Sequence, residues 1–258
     1  MHNLYIFDID GTLTPSRKRM SPEFSKFFNK WTEDNNYYLV TGSDIEKVKE
    51  QIPILYLERS QGVFTCCGNE FYKTKVKKWE DKEEIDLIKS YENKFIPPNG
   101  FIDYLETKLN NSKYHHRAGN HIEDRGSMIN FSIVGRNCSL MERENYFKYD
   151  NENGERKKIV DEMKEKWPTL ESSIGGQISI DIHEPGMDKS QIYSHITKNF
   201  IGLIDKFVFI GDRTMKGGND YPISELIKNK KNGLSYQTEG PEQTMEILQW
   251  LQIDGETK

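Results

Sequence analysis

Apolar runs of strand length alternate with amphipathic segments at both ends of the chain. Residues 4–8, 37–40 and 207–210 are rich in aromatic and β-branched side chains, which is typical of buried strands. Residues 21–31 follow the first run and residues 45–52 the second, and both carry apolar side chains at helical spacing. This repetition predicts a parallel α/β sheet whose ligands bind beyond the carboxyl ends of its strands.

The pattern changes in the middle of the chain. Segments with apolar side chains at helical spacing or with charged, helix-favouring composition occur at 82–91, 101–109 and 155–167. Strict alternation of apolar and polar side chains occurs at 128–134 and 177–183. Such alternation predicts antiparallel strands with one packed face and one hydrated face.

These patterns together predict two folding units in one chain. We expect a Rossmann-like parallel-sheet core formed by residues 1–83 and 187–258, with an α+β cap at 84–186 inserted between the two pieces. The cap is expected to contain an antiparallel sheet and helices. A length of 258 residues is enough for a substantial core and such an insertion.

Composition removes several classes of function. The formal net charge of -5 gives no reason to expect nucleic acid or an anionic membrane as a partner. No apolar run approaches the length of a membrane span, and the first strand begins too early to follow a cleaved signal. Three cysteines without metal-type spacing predict reduced thiols, so we expect a cytoplasmic protein.

The first strand ends in two carboxylates with a glycine behind them, in the sequence Asp8-Ile9-Asp10-Gly11-Thr12-Leu13-Thr14. Side chains two apart on a strand point the same way, so Asp8 and Asp10 repel each other unless a cation or a proton intervenes. Mg²⁺ prefers carboxylate, water and phosphate oxygens. The spacing therefore suits metal-assisted phosphoryl transfer, in which one carboxylate attacks and the other moves protons. The alternative is a solvated acidic turn.

Further polar clusters follow the other predicted strands or open a helix. Thr41 and Ser43 come after the second strand and could simply cap the next helix. Lys189 precedes a predicted helix and by itself could be a solvated surface lysine. Asp212 follows the strand at 207–210, and a glycine-rich loop separates it from Asp220. Two carboxylates at the ends of such a loop suit Mg²⁺, whereas the alternative is an acidic surface loop.

In order and character these segments resemble the four motifs of the haloacid dehalogenase-like superfamily of phosphatases and phosphomutases. The resemblance implies that Asp8 is a nucleophile that becomes an aspartyl phosphate and that Asp10 is the general acid/base. Thr41, Ser43 and Lys189 would contact the phosphoryl group. Mg²⁺ would be held by Asp8, the backbone carbonyl of Asp10 and Asp212, with Asp220 nearby.

Segments of the expected cap narrow the resemblance to the eukaryotic-type phosphomannomutases. They are Gly135-Arg136-Asn137-Cys138-Ser139 with Glu142-Arg143, and Gly175-Gly176-Gln177-Ile178-Ser179-Ile180-Asp181. The resemblance implies substrate-binding roles for the following residues: Arg17, Arg125, Arg136, Arg143, Ser179, Asp181 and Asn219. Arg125, Arg136 and Arg143 would hold the phosphate remote from the nucleophile, and Ser179 with Asp181 would bind sugar hydroxyls. Arg17, in the loop after Asp10, matches a further arginine of the family's core.

The implied reaction interconverts mannose 6-phosphate and mannose 1-phosphate, with a hexose 1,6-bisphosphate as activator, and supplies GDP-mannose synthesis. A homodimer formed through the cap is also implied. Glucose phosphates would fit the same arrangement. A sugar-phosphate phosphatase is the principal alternative, because Thr41 occupies a position that usually carries glycine in the phosphomannomutases. A non-catalytic binding protein is the third possibility.

Two further features have no assigned function. Cys66-Cys67-Gly68-Asn69 stands where the family typically has a Glu-Asn-Gly turn, and we interpret Cys66 and Cys67 as buried packing residues. His183 and His195 have no predicted partner and are interpreted as ordinary residues of polar faces.

Overall fold

A computed structural model describes residues 3–79, 82–199 and 204–256. The strands in chain order are β1 (Asn3–Asp8), β2 (Asn36–Val40), β3 (Val63–Thr65), β4 (Glu70–Trp79), β5 (Lys82–Glu92), β6 (Ile122–Asp124), β7 (Ile129–Phe131), β8 (Glu171–Gly175), β9 (Ser179–His183), β10 (Lys206–Gly211) and β11 (Gly233–Gln237). The helices are α1 (Pro22–Asp34), α2 (Ile45–Gln51), α3 (Ile54–Arg59), α4 (Phe101–Asn111), α5 (Leu140–Asn153), α6 (Glu155–Lys166), α7 (Gln191–Asn199), α8 (Tyr221–Lys228) and α9 (Pro241–Glu256).

A seven-stranded sheet organises the first unit, in the order β11-β10-β1-β2-β3-β4-β5. Strands β11 to β3 run parallel, and β4 and β5 are antiparallel additions at one edge. Tyr5, Phe7 and Leu39 face one apolar layer with α1, whereas Leu4 and Phe209 face a second layer with α7 and α8. The predicted parallel α/β core is therefore confirmed, and β1 lies at its centre.

The helix predicted at 82–91 is wrong, because this segment is strand β5. It pairs with β4 over ten registered positions, including Thr74 with Leu87 and Phe71 with Tyr91. A long antiparallel pairing supplies backbone hydrogen bonds that local composition does not reveal. The predicted boundary between residues 83 and 84 falls inside β5, and the division of the chain into two domains stays a prediction.

A separate four-stranded antiparallel sheet has the order β6-β7-β9-β8. One of its faces carries Ile129, Ile180 and Ile182, which pack with residues of α4, α5 and α6 in an apolar cluster. Helix α6 matches the predicted helix within one residue. The predicted antiparallel sheet with helices is confirmed, although strand β7 is shorter than the alternation at 128–134 suggests.

The other face of this sheet is buried, so the predicted hydrated face is wrong. Asn130 and Asp181 are each only 2% exposed, and Ser179 is buried with them. The face lies against the loops at the carboxyl ends of the parallel strands. Ile174 N of β8 donates a hydrogen bond at 3.0 Å to the carbonyl of Gly217, which lies in the loop after β10. The polar alternation therefore marks an interface between the two sheets.

Candidate active site

Strand β1 delivers Asp8 to the interface between the two sheets. Asp8 is the last residue of the strand and is buried. Its Oδ2 accepts a hydrogen bond from Thr12 Oγ1 at 3.1 Å. The loop that follows turns at Gly11, whose φ is +84°. A Cβ at this position would lie 2.7 Å from Asp212 Oδ2. Glycine is required here both for its backbone conformation and for this close approach.

A buried lysine joins the first and last motifs. Lys189 Nζ donates to Asp8 Oδ1 and to Asp220 Oδ1, each at 2.6 Å, and the lysine and Asp220 have no exposed surface. Burial would lower the pKa of Lys189, but the carboxylates of Asp220 and Asp8 outweigh it and raise that pKa. Lys189 therefore remains a cation between two carboxylates, which the sequence alone could not distinguish from a solvated lysine.

Three carboxylates converge at this point. Asp8, Asp212 and Asp220 each offer an oxygen atom, and these atoms all lie within 4.8 Å of one another. Burial and the neighbouring Asp220 raise the pKa of Asp212 to about 7. Burial, together with Asp220 and Asp212, also raises the pKa of Asp8 despite Lys189. One ammonium does not balance three carboxylates, so the donor set fits a divalent cation such as Mg²⁺.

The carboxylate of Asp10 is bonded to other residues and does not belong to this group of three. Its Oδ1 accepts hydrogen bonds from Arg17 N at 2.6 Å and from Gln51 Nε2 at 2.9 Å, and its Oδ2 accepts one from Ser43 Oγ at 3.3 Å. The three carboxylates described above do not include Asp10. This geometry leaves its side chain available for proton transfer, and its backbone carbonyl is the group that the resemblance assigns to the metal.

The loop after β2 contributes two hydroxyl side chains. Thr41 Oγ1 accepts a hydrogen bond from Ser43 N at 3.0 Å, and both residues are buried. Gly42 lies between them, and a Cβ on it would lie 2.9 Å from Asp181 Oδ2 of the second sheet. Only a glycine allows this loop to approach the second sheet so closely.

The predicted arginines come together in the same cleft as Asp8 and Asp10, where they form a group that we call the arginine cluster: Arg17, Arg125, Arg136 and Arg143. Arg17 Nη1 donates to the carbonyl of Arg136 at 2.6 Å, and Arg136 Nη1 donates to Ser179 Oγ at 2.6 Å. Arg143 is only 4% exposed, and its Nη2 has no hydrogen-bond partner among the described residues. A buried guanidinium with an unused donor is suited to bind an anion.

The predicted sugar-binding pair lies between the arginine cluster and the carboxylates. Asp181 Oδ1 accepts from Asn130 Nδ2 at 2.6 Å, and its Oδ2 accepts from Asn219 Nδ2 at 3.3 Å. Ser179 is bonded to Arg136, as described above. All predicted site residues except Lys189 and Asp220 line one cleft of about 480 Å³, its open mouth included. Those two lie behind the cleft wall, where Lys189 contacts both Asp8 and Asp220.

Comparison with known proteins identifies the family. The model of the family described as "Eukaryotic phosphomannomutase" matches residues 24–253. The chain belongs to the eukaryotic phosphomannomutase family. A phosphomannomutase of Encephalitozoon cuniculi is 36% identical over 85% of this chain and 83% of its own length. That of Saccharomyces cerevisiae is 35% identical over 95% and 92%. The predicted enzyme family is thus confirmed.

Solved structures confirm the haloacid dehalogenase-like fold. An IMP-bound, N-terminally truncated IMP-nucleotidase of Plasmodium falciparum matches with a TM-score of 0.56 and 18% identity, over 96% of this chain and 67% of its own. A haloacid dehalogenase-like hydrolase of Bacteroides thetaiotaomicron matches with a TM-score of 0.55 and 15% identity, over 97% and 100%. Among the described residues, none of the helices is long and apolar enough to cross a lipid bilayer.

Sequence reasoning missed several residues of this phosphomannomutase-family site. Gln51 is 2% exposed and contacts Asp10, although it lies on the apolar side of α2. The sequence could have indicated this contact, because Gln51 lies three residues after Val48 on the buried side of the helix. A buried polar side chain there needs a hydrogen-bond partner. Glu123 is the second omission, since its carboxylate contacts both Arg125 and Arg136.

A buried ion pair supports the turn that carries the sugar-binding residues. Arg156 Nε donates to Asp150 Oδ2 at 2.7 Å, and its Nη1 lies 3.1 to 3.3 Å from three carbonyls, those of Gly175, Gly176 and Ser179. Arg156 is 2% exposed. This arginine was also missed, because its neighbours along α6 are ordinary surface lysines.

The cysteines and histidines take structural positions. Cys66 and Cys67 are buried, as predicted, and both have left-handed φ angles, of 49° and 58°. Burial raises the pKa of Cys66 to about 12, so its thiol stays protonated. His183 Nδ1 lies 2.9 Å from the carbonyl of Glu184. The ring of His195 lies 4.6 Å from that of Phe71 in the second apolar layer, so the interpretation of His195 as a polar-face residue is wrong. These contacts account for both histidines without a catalytic role.

Proposed function

We propose that the chain is a phosphomannomutase that interconverts mannose 6-phosphate and mannose 1-phosphate through a phosphorylated Asp8. The observation that carries the proposal is that carboxylates and guanidinium groups line the same cleft. Asp8 and Asp212 line it together with the arginine cluster, and Asp220 lies behind its wall beside Lys189. A sugar with a phosphate at each end fits such a cleft in either of two orientations. The names of the curated relatives support the same activity.

In the first half of the proposed reaction, an oxygen of Asp8 attacks the nearer phosphorus of a hexose 1,6-bisphosphate. The bond between that phosphorus and the sugar oxygen breaks, and Asp10 gives a proton to the departing oxygen. The second half reverses these steps at the other end of the hexose monophosphate, with Asp10 removing the hydroxyl proton. Asp10 is suited to both roles, because Arg17 N, Gln51 and Ser43 hold its carboxylate in place.

Lys189 supports this chemistry from beneath the cleft. It fixes one oxygen of Asp8, and its charge offsets that of the phosphoryl group near the nucleophile. Mg²⁺ would be held by Asp8, the backbone carbonyl of Asp10 and Asp212, near Asp220. When bound, it would neutralise charge on the transferring phosphoryl oxygens. Thr41 and Ser43 lie at the same end of the cleft as hydroxyl donors.

At the other end, the arginine cluster would bind the phosphate that is not reacting. Charge-assisted hydrogen bonds to phosphate contribute about 1.5–3 kcal/mol each. Ser179 and Asp181 would bind sugar hydroxyls between the two phosphates. We also propose the expected supply of product to GDP-mannose synthesis, in the cytoplasm, by a homodimer joined through the second sheet's unit.

Product analysis tests the proposal and its principal rival. Purified enzyme is incubated with mannose 1-phosphate, a hexose 1,6-bisphosphate and Mg²⁺, and the products are separated. A mutase yields mannose 6-phosphate, whereas a phosphatase yields mannose and free phosphate. Thr41 favours the rival, because glycine is usual there in the family. Free phosphate as the main product would refute the mutase, and repeating the assay with glucose phosphates defines the sugar preference.

Two variants test the assigned roles. Asp8→Asn should abolish turnover and the trapping of labelled phosphate on the protein. Arg143→Ala should greatly reduce mutase turnover while Asp8 can still be phosphorylated, because we assign Arg143 to the phosphate that is not reacting. Substantial turnover by Asp8→Asn would exclude Asp8 as nucleophile. Wild-type turnover by Arg143→Ala would exclude the proposed binding of the remote phosphate.

A further inference from the structure

The arginine cluster places several guanidinium groups against one another inside the protein. Burial, with repulsion from Arg125 and Arg17, lowers the pKa of Arg136 to about 9. Burial and Arg17 likewise lower the pKa of Arg143 to about 10. Like charges packed in this way destabilise the empty site, and any anion that enters relieves the repulsion.

Glu123 already supplies one such anion. Its Oε2 accepts a hydrogen bond from Arg125 Nε at 2.9 Å and a second from Arg125 Nη2, and it lies 3.5 Å from Arg136 Nε. Its side chain is 28% exposed, comes from β6 and lines an outer groove that shares Arg17, Arg125 and Arg136 with the cleft. Burial would raise the pKa of Glu123, but Arg125, Arg136 and Arg17 outweigh it and lower that pKa. Glu123 is therefore ionised near neutral pH.

These contacts leave the members of the cluster unequally available. Arg125 Nη1 donates to the carbonyl of Gly42, so three of its nitrogen atoms are bound within the protein. Arg136 Nη1 donates to Ser179, and its Nε lies 3.5 Å from Glu123 Oε2 in an ion pair without a hydrogen bond. Arg143 keeps Nη2 without a partner among the described residues. An entering phosphate must thus compete with Glu123 for Arg125 and Arg136, whereas it meets no such competitor at Arg143.

We propose that Glu123 is a positioning residue and internal counter-ion that limits how tightly the arginine cluster holds the phosphate remote from Asp8. This inference rests on the proposed mutase function. A mutase must release the remote phosphate and bind the other one each time the sugar is turned around. Tight binding that is equal in the ground and transition states does not accelerate turnover. A fixed competing carboxylate keeps the phosphate exchangeable and also holds Arg125 and Arg136 in place before it arrives.

The test is Glu123→Gln, which keeps the shape of the side chain and removes its charge. We expect the KM for mannose 1-phosphate and kcat to fall together, with KM about tenfold lower, which corresponds to about 1.4 kcal/mol. Glu46→Gln is the matched control. Glu46 lies on the same outer groove with a side chain that is 75% exposed, and it pairs with Lys49. It should keep both wild-type constants. A KM for Glu123→Gln that is unchanged or raised would overturn the inference.

Binding without turnover provides a second readout. Calorimetry on Asp8→Asn and on Asp8→Asn with Glu123→Gln measures the affinity for mannose 1-phosphate in each. The double variant should bind about tenfold more tightly, and inorganic phosphate should raise its Tm more. Equal affinities would overturn the inference. If Glu123→Gln fails to fold, Glu123→Asp replaces it, with an intermediate fall in KM expected and an unchanged or raised KM overturning the inference.

The same experiments separate the two proposals. If the wild-type chain neither binds nor isomerises hexose phosphates, the proposed function itself fails. If the wild type isomerises mannose 1-phosphate but Glu123→Gln binds it no more tightly, the function stands and the role given to Glu123 is wrong.

Discussion

Replacing Lys189 by methionine should reveal how strongly the empty site depends on one buried cation. Lys189 has no exposed surface and contacts Asp8 and Asp220 at 2.6 Å each. Removing one partner of a buried ion pair costs about 3–5 kcal/mol, because a charge is left without compensation. Since the pKa of Asp8 is already raised, this carboxylate can take up a proton in the variant. We therefore expect the lower end of that range, about 3 kcal/mol at pH 7.5.

Urea unfolding in EDTA measures this loss by linear extrapolation of the free energy of unfolding. The loss should become smaller as the pH falls to 5.5, because protonation of Asp8 removes one unpaired charge. Lys157→Met is the control. Its side chain is 73% exposed and pairs with Asp161 on the surface, so its effect should stay within about 0.5 kcal/mol. A loss below about 1 kcal/mol for Lys189→Met would refute the reasoning.

Three further substitutions test the carboxylates and the loops around them. The pKa of Asp212 is raised from 3.8 to about 7, so its favourable contribution to stability is present below pH 4 and is lost as the pH rises through 7. At pH 8 in EDTA, the free energy of unfolding of Asp212→Asn should therefore be about 2 kcal/mol higher than that of wild type. This is half of the value that 1.36 kcal/mol per pKa unit gives, because the side chain is 21% exposed. The two free energies of unfolding should become equal near pH 4. Gly11→Ala should lose about 1–3 kcal/mol in urea unfolding, and more than Gly154→Ala, whose φ is also positive but whose new Cβ meets nothing within 4 Å. Thr41→Gly should lower the ratio of phosphate release to isomerisation, and an unchanged ratio would exclude Thr41 as a determinant of hydrolysis.

Much of the site could be predicted because its residues follow strand ends. Asp8 is the last residue of β1, and Thr41 and Asp212 come directly after β2 and β10. These three strands are neighbours in the sheet. Parallel strands in the same sheet bring their carboxyl ends to one edge, so a local pattern determines a distant juxtaposition. The chemistry of Lys189 could not be derived this way, because its burial depends on the two carboxylates that it meets.

The errors have a common physical origin in partners that are distant along the chain. Strand β5 forms because β4 is available to pair with it, and its own composition is helical. The polar side of β9 alternates as a hydrated face would, yet Asp181 is 2% exposed. Alternation reports that one side of a strand is polar and does not report whether water or another polar surface covers it. Helix α5 was not predicted, although the capping box of Ser139 and Glu142 was a local signal for its start.

If the chain is a mutase as proposed, the distribution of charge in the cleft would explain how either end of the substrate can react in one site. One part of the cleft carries carboxylates around Lys189, and it accepts a phosphate only where a cation or a proton reduces that negative charge. Another part carries guanidinium groups around Glu123, and it accepts a phosphate without further help. A sugar that bears a single phosphate is therefore drawn with that phosphate to the arginines, which leaves its free hydroxyl facing Asp8 and Asp10. Under the proposed mutase function, this charge distribution would orient either monophosphate for transfer, and Glu123 would keep that orientation reversible.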